Sequence, residues 1–326
     1  MLQFFMPAPY KTGFLNSQTG HKIFYSLYGN PKGQPVLIFH GGPGSYSKPY
    51  HVGALNLQKY RVIMFDQPGS GKSEPAGSLK NNTTHAILEI TEKLLKHLDI
   101  WADLQAGRRK LILKGRSWGA TLALLFAIKH QDKIRAMLLQ SIFMATEQAS
   151  EFILANDQNK GVNLFLQERY HYIKSFEKKH RITLQQAIEI LTVPDANFDI
   201  NAPKVKVAAA LLLRYIVPPS QHIPEFLNFE PELVDENAIF SMRVFAHYEK
   251  NKYFLPKNYL VKNADKLGHI PAHVIHARYD LTCPLAYTYE LVQKLSNATL
   301  FVSHYAGHRG NPEWDKIEAN WLESLA

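Results

Sequence analysis

The sequence has 326 residues, 46% of them hydrophobic, and its formal net charge is +9. This length and hydrophobic fraction predict a globular protein with material for one large domain or two ordinary ones. The positive charges form short clusters without a nucleic-acid motif, and the longest apolar run, 207–213, cannot span a bilayer, so we expect neither a nucleic-acid nor a membrane partner.

Strands and helices alternate along the first 140 residues. Apolar patterning predicts a hairpin of strands at 12–16 and 21–28, followed by short buried strands at 36–39 and 61–65. Next come a helix that Asn82-Thr83-Thr84 can cap and that runs to about Leu98, a strand at 111–114, a helix at 120–129 and a strand at 134–139. This alternation is typical of the α/β class, in which helices cover both faces of a mostly parallel sheet.

The pattern changes after residue 140 and returns near the C-terminus. Helical periodicity at 152–166, 183–191 and 204–216 is not interrupted by any strong strand signal. Strands are then predicted at 272–276 and 299–302, and helices at 285–295 and 312–325. The prediction is one sheet domain, residues 1–140 and 246–326, with a helical cap inserted at 141–245.

One segment carries a candidate nucleophile. Gly115-Arg116-Ser117-Trp118-Gly119 follows a predicted buried strand and precedes a predicted helix. Gly-x-Ser-x-Gly in this context is the nucleophile-elbow pattern, in which a strained turn raises the serine hydroxyl above the end of the sheet. A chance match is the alternative reading of a pattern this short.

A serine nucleophile needs a base and a carboxylate, which in this fold follow in the order Ser, Asp or Glu, His. Asp280 and His308 both come just after predicted C-terminal strands, where such sheets place their ligands. Asp280 has an alternative role as a cap for the following helix, and His304 competes with His308. We predict the triad Ser117, Asp280 and His308.

Two backbone amides are expected to bind the oxyanion. One is the amide of Trp118, at the start of the predicted helix, and the other is the amide of Gly42, in the segment His40-Gly41-Gly42-Pro43-Gly44. A plain turn would also explain that glycine-rich segment. The P-loop-like Gly69-Ser70-Gly71-Lys72-Ser73 lacks the required upstream glycine, so we exclude nucleotide binding.

Neither a metal nor an organic cofactor is expected. His269, His273 and His276 lie close together, but no cysteine or carboxylate accompanies them at ligand spacing. Cys283 is the only cysteine, so no disulfide can form within the chain. With no signal-peptide pattern at the N-terminus, we expect a cytoplasmic protein, and the sequence leaves the oligomeric state unknown.

Taken together, these motifs resemble those of the prolyl aminopeptidases (proline iminopeptidases) among the α/β-hydrolases. The matching stretches are His40-Gly41-Gly42-Pro43-Gly44, Asp66-Gln67-Pro68-Gly69-Ser70-Gly71-Lys72-Ser73, Asn82-Thr83-Thr84, the stretch from Gly115 to Leu124, Arg278-Tyr279-Asp280 with Cys283-Pro284, and Ala306-Gly307-His308. The resemblance implies an α/β-hydrolase fold, a Ser117, Asp280 and His308 triad, and peptides with N-terminal proline as substrates.

The predicted cap departs from the family pattern. The family holds the substrate's amino group with glutamates, one of them in a Glu-Asn-His-Tyr-Phe stretch that corresponds here to 250–254, where Lys250 replaces the glutamate. Glu249 lies one residue away, either as a substitute ligand or as a surface charge. The candidate substrate-binding residues are Gly41, Glu249, Tyr253 and Phe254.

Three functions follow from these observations. The first is release of N-terminal proline from small peptides through an acyl-enzyme. The second is a carboxylesterase or lactonase that uses the same triad under a cap selecting an uncharged acyl group. The third, a non-catalytic binding protein, is disfavoured because the serine, aspartate and histidine are all present.

Overall fold

A computed structural model describes residues 7–53, 55–216 and 230–325. Its centre is one eight-stranded sheet with the strand order β1-β2-β4-β3-β5-β6-β7-β8. The strands are β1 (Lys11–Asn16), β2 (Lys22–Gly29), β3 (Gln34–Phe39), β4 (Tyr60–Phe65), β5 (Leu111–Arg116), β6 (Ile134–Gln140), β7 (Ala272–Ala277) and β8 (Ala298–Ser303). β1 pairs antiparallel with β2 and β2 with β4, and every other pairing is parallel.

Helices follow most of the parallel strands. The described α-helices are α1 (Thr84–His97), α2 (Trp101–Gln105), α3 (Trp118–Lys129), α4 (Glu147–Ile153), α5 (Gln167–His180), α6 (Leu184–Leu191), α7 (Pro203–Ile216), α8 (Glu236–Lys250), α9 (Tyr259–Asn263), α10 (Leu285–Lys294) and α11 (Glu313–Ser324). One sheet face packs on α1 and α3 in the main core, and the opposite face packs on Leu322 of α11. Because both faces are covered, the inner strands are apolar along most of their length.

The described residues between β6 and β7 form helices and turns. Helices α5, α6 and α7 share a hydrophobic cluster separate from the sheet core. Helix α8 contributes Met242 and Phe245 to that cluster, but Val244 and Tyr248 to the sheet core. The predicted boundary at 245/246 therefore falls inside a helix that packs on both cores. Residues 217–229 of the predicted insertion lie outside the described residues.

The predicted α/β sheet with helices on both faces is confirmed. The helix predicted at 152–166 is wrong, because α4 ends at Ile153 and α5 begins at Gln167. Gly161 has φ +54°, and the buried Asn163 side chain donates hydrogen bonds to the carbonyls of Ala155 and Asp157. These side-chain bonds stabilise a loop where apolar spacing alone predicts a helix.

No α-helix in the described ranges is long and apolar enough to cross a lipid bilayer.

Candidate active site

Ser117 occupies a strained turn between β5 and α3. Its backbone has φ 56° and ψ −126°, a conformation that L-residues rarely adopt. A Cβ at Gly115 would overlap the carbonyl of Gly119, and a Cβ at Gly119 would overlap the carbonyl of Phe39. Both glycines are thus required by close backbone approach, as the elbow pattern predicts. The elbow places Ser117 at the carboxyl edge of the parallel strands.

Asp280 and His308 lie at the same edge, in the loops after β7 and β8. His308 Nδ1 is 2.9 Å from Asp280 Oδ2 and 3.1 Å from Oδ1. The other side of the carboxylate is also occupied, because Oδ1 accepts hydrogen bonds from the amides of Thr282 (3.0 Å) and Cys283 (2.7 Å). This arrangement fixes the carboxylate and orients the imidazole through Nδ1.

Asp280 is held as a carboxylate although it is buried. Burial alone would raise the pKa of this side chain. Charge attraction and the hydrogen bond from His308, together with smaller contributions from His276 and the Cys283 amide, outweigh burial and lower the pKa below its ordinary value. Asp280 can therefore stabilise a positive charge that develops on His308.

The geometry brings Ser117 close to this pair through Cys283. Ser117 Oγ is 3.9 Å from Cys283 Sγ, and ligand-type atoms of Asp280, Cys283 and His308 all lie within 4.8 Å of one another. Among the described residues, no hydrogen bond joins Ser117 Oγ to His308. Such bonds are often long without substrate and shorten in the reactive complex.

The cluster of Asp280, Cys283 and His308 has the donor atoms of a metal site, but its chemistry does not fit one. Both carboxylate oxygens already accept hydrogen bonds. Burial raises the pKa of the Cys283 thiol well above its ordinary value, so the thiolate that a metal requires is disfavoured. These groups are better suited to orienting His308 than to binding a cation.

The loop after β3 is tied to the elbow by Gln67. The Gln67 backbone amide donates to His40 Nε2 (2.9 Å), and its side-chain amide donates to the His40 carbonyl (2.9 Å). Its side-chain oxygen accepts a hydrogen bond from Trp118 Nε1 (3.0 Å). All three residues are buried, so Gln67 joins the glycine-rich loop to the first residue of α3.

His40 is held neutral by this arrangement. Because Nε2 accepts the Gln67 amide, the proton lies on Nδ1, which donates to the carbonyl of Gly41 (2.8 Å). Burial lowers the pKa of His40, which agrees with a neutral ring. Gly42, two residues after His40, has φ +121°, a value that a side chain would disfavour. Gly41 lies beside the elbow, since a Cβ built on it would be 3.6 Å from Ser117 Cβ.

Glu249 is half-buried and is not the surface charge that one reading of the sequence expects. Its Oε2 accepts hydrogen bonds from Tyr253 (2.6 Å) and Ser150 (3.0 Å). Burial raises the pKa of Glu249, although these two bonds oppose the shift. All three side chains line a cavity of about 410 Å³.

Tyr253 connects that cavity to the elbow. Its ring centroid lies 5.7 Å from that of Trp118 and 4.9 Å from that of Phe143, whose amide donates to the Ser117 carbonyl. Residues 252, 253 and 254 all have φ near +50°, and the Tyr253 carbonyl accepts a 2.6 Å hydrogen bond from Thr84. This strained segment places the Tyr253 ring beside the elbow and its hydroxyl against Glu249.

Lys250, which stands in the place of the family's glutamate, and the remaining candidate Phe254 contact other residues than Ser117. The exposed Lys250, which lines the same cavity as Glu249, donates to Thr192 Oγ1 (3.1 Å) at the end of α6. The Phe254 ring packs on His247 and Tyr248, at centroid distances of 5.2 and 5.4 Å, so these contacts hold it against α8 rather than against Ser117.

Sequence reasoning missed the positioning roles of Gln67, Cys283 and His276. His276 is fully buried, donates through Nε2 to the Cys283 carbonyl (2.6 Å) and lies 3.7 Å from Asp280. In the sequence, the only indication of this role of His276 is its position at the end of a strand that leads into the Asp280 loop.

Comparison with known proteins agrees with this architecture. The model of the α/β hydrolase fold family matches residues 34–313. The chain is 33% identical to the probable proline iminopeptidase of Leptolyngbya boryana, covering 98% of this chain and 92% of that protein. It is 30% identical to the proline iminopeptidase of Neisseria meningitidis serogroup A, covering 92% of this chain and 91% of the relative.

Solved structures share the fold at lower identity. An α/β fold family hydrolase from Bacillus anthracis matches with a TM-score of 0.59 and 16% identity. The match covers 98% of this chain and 100% of that hydrolase chain. An esterase from Exiguobacterium antarcticum has a TM-score of 0.55 and 17% identity, covering 97% and 99%. The sheet order, the family match and the curated relatives together establish that this chain belongs to the proline iminopeptidase family of α/β-hydrolases.

Proposed function

We propose that this protein is a serine aminopeptidase that releases proline from the N-terminus of small peptides. The observation that carries the proposal is the Asp280–His308 pair, joined at 2.9 Å beside a serine in a strained elbow. Relatives that are named proline iminopeptidases and cover nearly the whole chain support proline as the released residue.

In the proposed reaction, Ser117 Oγ attacks the carbonyl carbon of the N-terminal proline while His308 Nε2 takes the hydroxyl proton. Asp280 keeps the His308 proton on Nδ1 and stabilises the imidazolium that forms. His308 then gives its proton to the departing amine, and the proline remains bound to Ser117 as an ester. Water activated by His308 hydrolyses this ester and restores the serine.

The amides of Gly42 and Trp118 are the proposed donors to the oxyanion. Trp118 is the first residue of α3, where an amide has no acceptor within its own helix. The Gln67 hydrogen bonds to His40 and Trp118 support this proposal, because they set the distance between the loop and the helix. Donors that are fixed before the reaction stabilise the developing charge without reorganisation.

Glu249 is the proposed ligand for the substrate's amino group. A partly desolvated ammonium requires a carboxylate partner, and Glu249 lies in a cavity that adjoins the elbow through Tyr253. We propose that residues 141–245 form the cap that contributes Ser150 to this cavity, with α8 as its joint to the sheet. Gly41 and Tyr253 are the proposed walls of the substrate site.

Hydrolysis of a proline arylamide beside a p-nitrophenyl ester tests this function. We expect arylamide turnover by the wild type and a loss of about 10⁴- to 10⁶-fold in Ser117→Ala, which removes the nucleophile. Turnover of the ester alone, also lost in Ser117→Ala, would instead support the esterase or lactonase alternative. A serine-reactive phosphonate that fails to label Ser117 would support the non-catalytic alternative.

Glu249→Gln tests the recognition of the amino group. We expect KM for the proline arylamide to rise about 10- to 100-fold, as for the loss of one charged hydrogen bond, with a smaller effect on kcat. Glu151→Gln is the matched control, because Glu151 lines the same cavity but is exposed. Equal effects of the two substitutions would count against Glu249 as the specific ligand.

A further inference from the structure

A second cavity lies at the elbow, on the side of His308. Its volume is about 620 Å³, and it is bounded by the ends of β3 and β5, the glycine-rich loop, and residues 309–312 after His308. Gly41 and Arg116 form the wall nearest the nucleophile. A Cβ built on Gly41 would lie 3.3 Å from the Arg116 carbonyl and 3.6 Å from Ser117 Cβ, so this wall of the cavity contacts the elbow, although neither Ser117 nor His308 lines the cavity itself.

The lining of this cavity is predominantly basic. Four cationic side chains line it (Lys48, Lys114, Arg116 and Arg309), whereas Asp315 is the one acidic side chain among the described lining residues. Lys114 is neutralised by an ion pair with the fully buried Glu318. Among the described residues Arg116 forms no ion pair; burial lowers its pKa, and the charges of Glu318, Asp315 and Asp280 oppose that shift.

The Arg116 guanidinium is held in place from three directions. Nε donates to the side-chain oxygen of Gln140, which is itself bonded to Glu318, and one Nη donates to the Arg309 carbonyl (2.9 Å). Its centre lies 5.2 Å from the Trp314 ring centroid. These bonds use two of the five N–H donors of an arginine, so donors remain for a ligand.

His51 lines the same cavity, and its surroundings lower the pKa of its ring. Burial is the largest cause that lowers its pKa to about 3, and the nearby His40, Lys114, Arg116 and Lys48 lower it further. The ring is therefore neutral, and its Nδ1 accepts a hydrogen bond from the Lys48 amide (3.1 Å). Burial also raises the pKa of Asp315 in the same lining, and the charges of Lys114 and Arg116 oppose that shift, so an anion here needs direct contact with the cationic side chains.

We propose that this cavity binds the free α-carboxylate of short peptide substrates, with Arg116 as the main ligand and Lys48 as a second. The inference rests on the proposed function, in which His308 protonates the departing amine, so the departing chain lies on the His308 side. One residue spans about 3.3–3.6 Å, so the carboxylate of a dipeptide or tripeptide can reach a site that begins next to Ser117. Substrates with a free C-terminus are thereby preferred.

The test compares prolyl-alanine with prolyl-alanine amide, which differ only in the terminal charge. In the wild type we expect kcat/KM to be about tenfold higher for the free acid, the effect of one charge-assisted hydrogen bond. Arg116→Gln should reduce this ratio to within about twofold of one. Because both substrates are measured on each variant, a general loss of activity cancels. Lys110→Gln is the matched control. Lys110 is an exposed cation immediately before the first residue of β5, whereas Arg116 is the last residue of that strand, so this substitution should leave the ratio unchanged.

Every other outcome also supports or contradicts the carboxylate site or the proposed function. A wild-type ratio near one, with the proline arylamide still hydrolysed, overturns the carboxylate site but leaves the proposed function standing. A ratio near one together with altered arylamide turnover on adding acetate at constant ionic strength would assign the cavity to free anions instead. Absence of arylamide and dipeptide turnover would refute the proposed function itself. If Arg116→Gln does not fold, the wild-type ratio alone tests the preference.

Discussion

The hydrogen bonds of Asp280 hold its side chain in one orientation. Its two oxygens accept the Thr282 and Cys283 amides on one side and His308 Nδ1 on the other. Three donors already hold this carboxylate, and rotating it would break all of these bonds. The side chain can therefore fix the tautomer of His308, which is what a serine nucleophile requires of it.

Asp280→Asn should retain the fold but lose most of the activity. The amide has nearly the same shape, but its NH₂ group cannot accept the proton of His308 Nδ1, so the imidazole adopts the wrong tautomer. We expect kcat to fall by about 10⁴-fold. Proline arylamide turnover and a thermal melt would be measured beside Asp132→Asn, an exposed carboxylate paired with Lys133. A decrease below tenfold in a folded variant would exclude Asp280 as the orienting group.

The residues at the site differ in how far the sequence predicts them. Ser117, Asp280 and His308 are predictable because each sits next to a strand end in an order that the chemistry requires. The side chain of Glu249 is not predictable in the same way. Which face of α8 meets the elbow depends on packing against both hydrophobic cores, and that packing leaves Glu249 half-buried against Tyr253 and Lys250 exposed in the lining of the same cavity.

At the level of elements, the elbow and the glycine-rich loop act as one unit because of Gln67. The loop follows β3 and the elbow follows β5, and these strands pair in parallel. Pairing brings the two segments to the same edge, but it does not set the distance between their amides. The three Gln67 bonds to His40 and Trp118 do so.

Gln67→Ala should therefore impair catalysis more than binding. Two of those bonds come from the side chain, and removing them leaves the Trp118 indole and the His40 carbonyl buried without their partner. We expect kcat to fall about 10- to 100-fold with little change in KM, and the free energy of unfolding to fall by about 1–3 kcal/mol. Gln18→Ala, at an exposed turn, is the control. A change confined to stability would mean that Gln67 supports only the fold.

All eight strands and six of the eleven described α-helices were predictable from the sequence, whereas α2, α4, α5, α8 and α9 were not. Strands β3, β5 and β7 are short apolar runs bounded by polar or glycine-rich segments, so their signals are strong. The error at 152–166 arose because Asn163 and the positive φ of Gly161 favour a loop. The strand order was not predictable in detail, because it depends on pairing between residues far apart in sequence.

At the scale of the whole molecule, the two hydrophobic cores are joined by α8. This helix packs on the cluster of α5, α6 and α7 through one set of side chains and on the sheet through another. Arg243, also on α8 and fully buried, donates to the carbonyls of Gly77 and Leu191 and to Asp195. The connection through α8 is thus polar as well as apolar. The domain boundaries and the cytoplasmic location stay predictions.

Histidines distributed over the whole fold predict a loss of stability in mild acid. Burial is the largest cause that lowers the pKa of eight of them: His21, His40, His51, His130, His180, His247, His273 and His276. In the unfolded chain each of these histidines titrates near pH 6.5. Between that pH and the lower pKa of the folded state, the unfolded state therefore binds more protons than the folded state. Their stabilisation is complete above about pH 6.5 and decreases as the pH falls. Glu249 and Asp315, whose pKa values are raised by burial, act in the opposite direction, between their ordinary pKa values and the raised values of the folded state.

Urea unfolding at pH 7, 6 and 5 would measure this effect. We expect the free energy of unfolding to fall steadily over that range, and His51→Gln to reduce the slope by about one proton, because the pKa of His51 is about 3 in the folded protein. Glutamine keeps an oxygen that can accept the Lys48 amide, so the local hydrogen bond survives. His85→Gln, at an exposed position on α1, should leave the slope unchanged. A wild-type stability independent of pH between 7 and 5 would mean that these histidines are protonated in the folded state, contrary to the hydrogen bonds that His40 Nε2 and His51 Nδ1 accept.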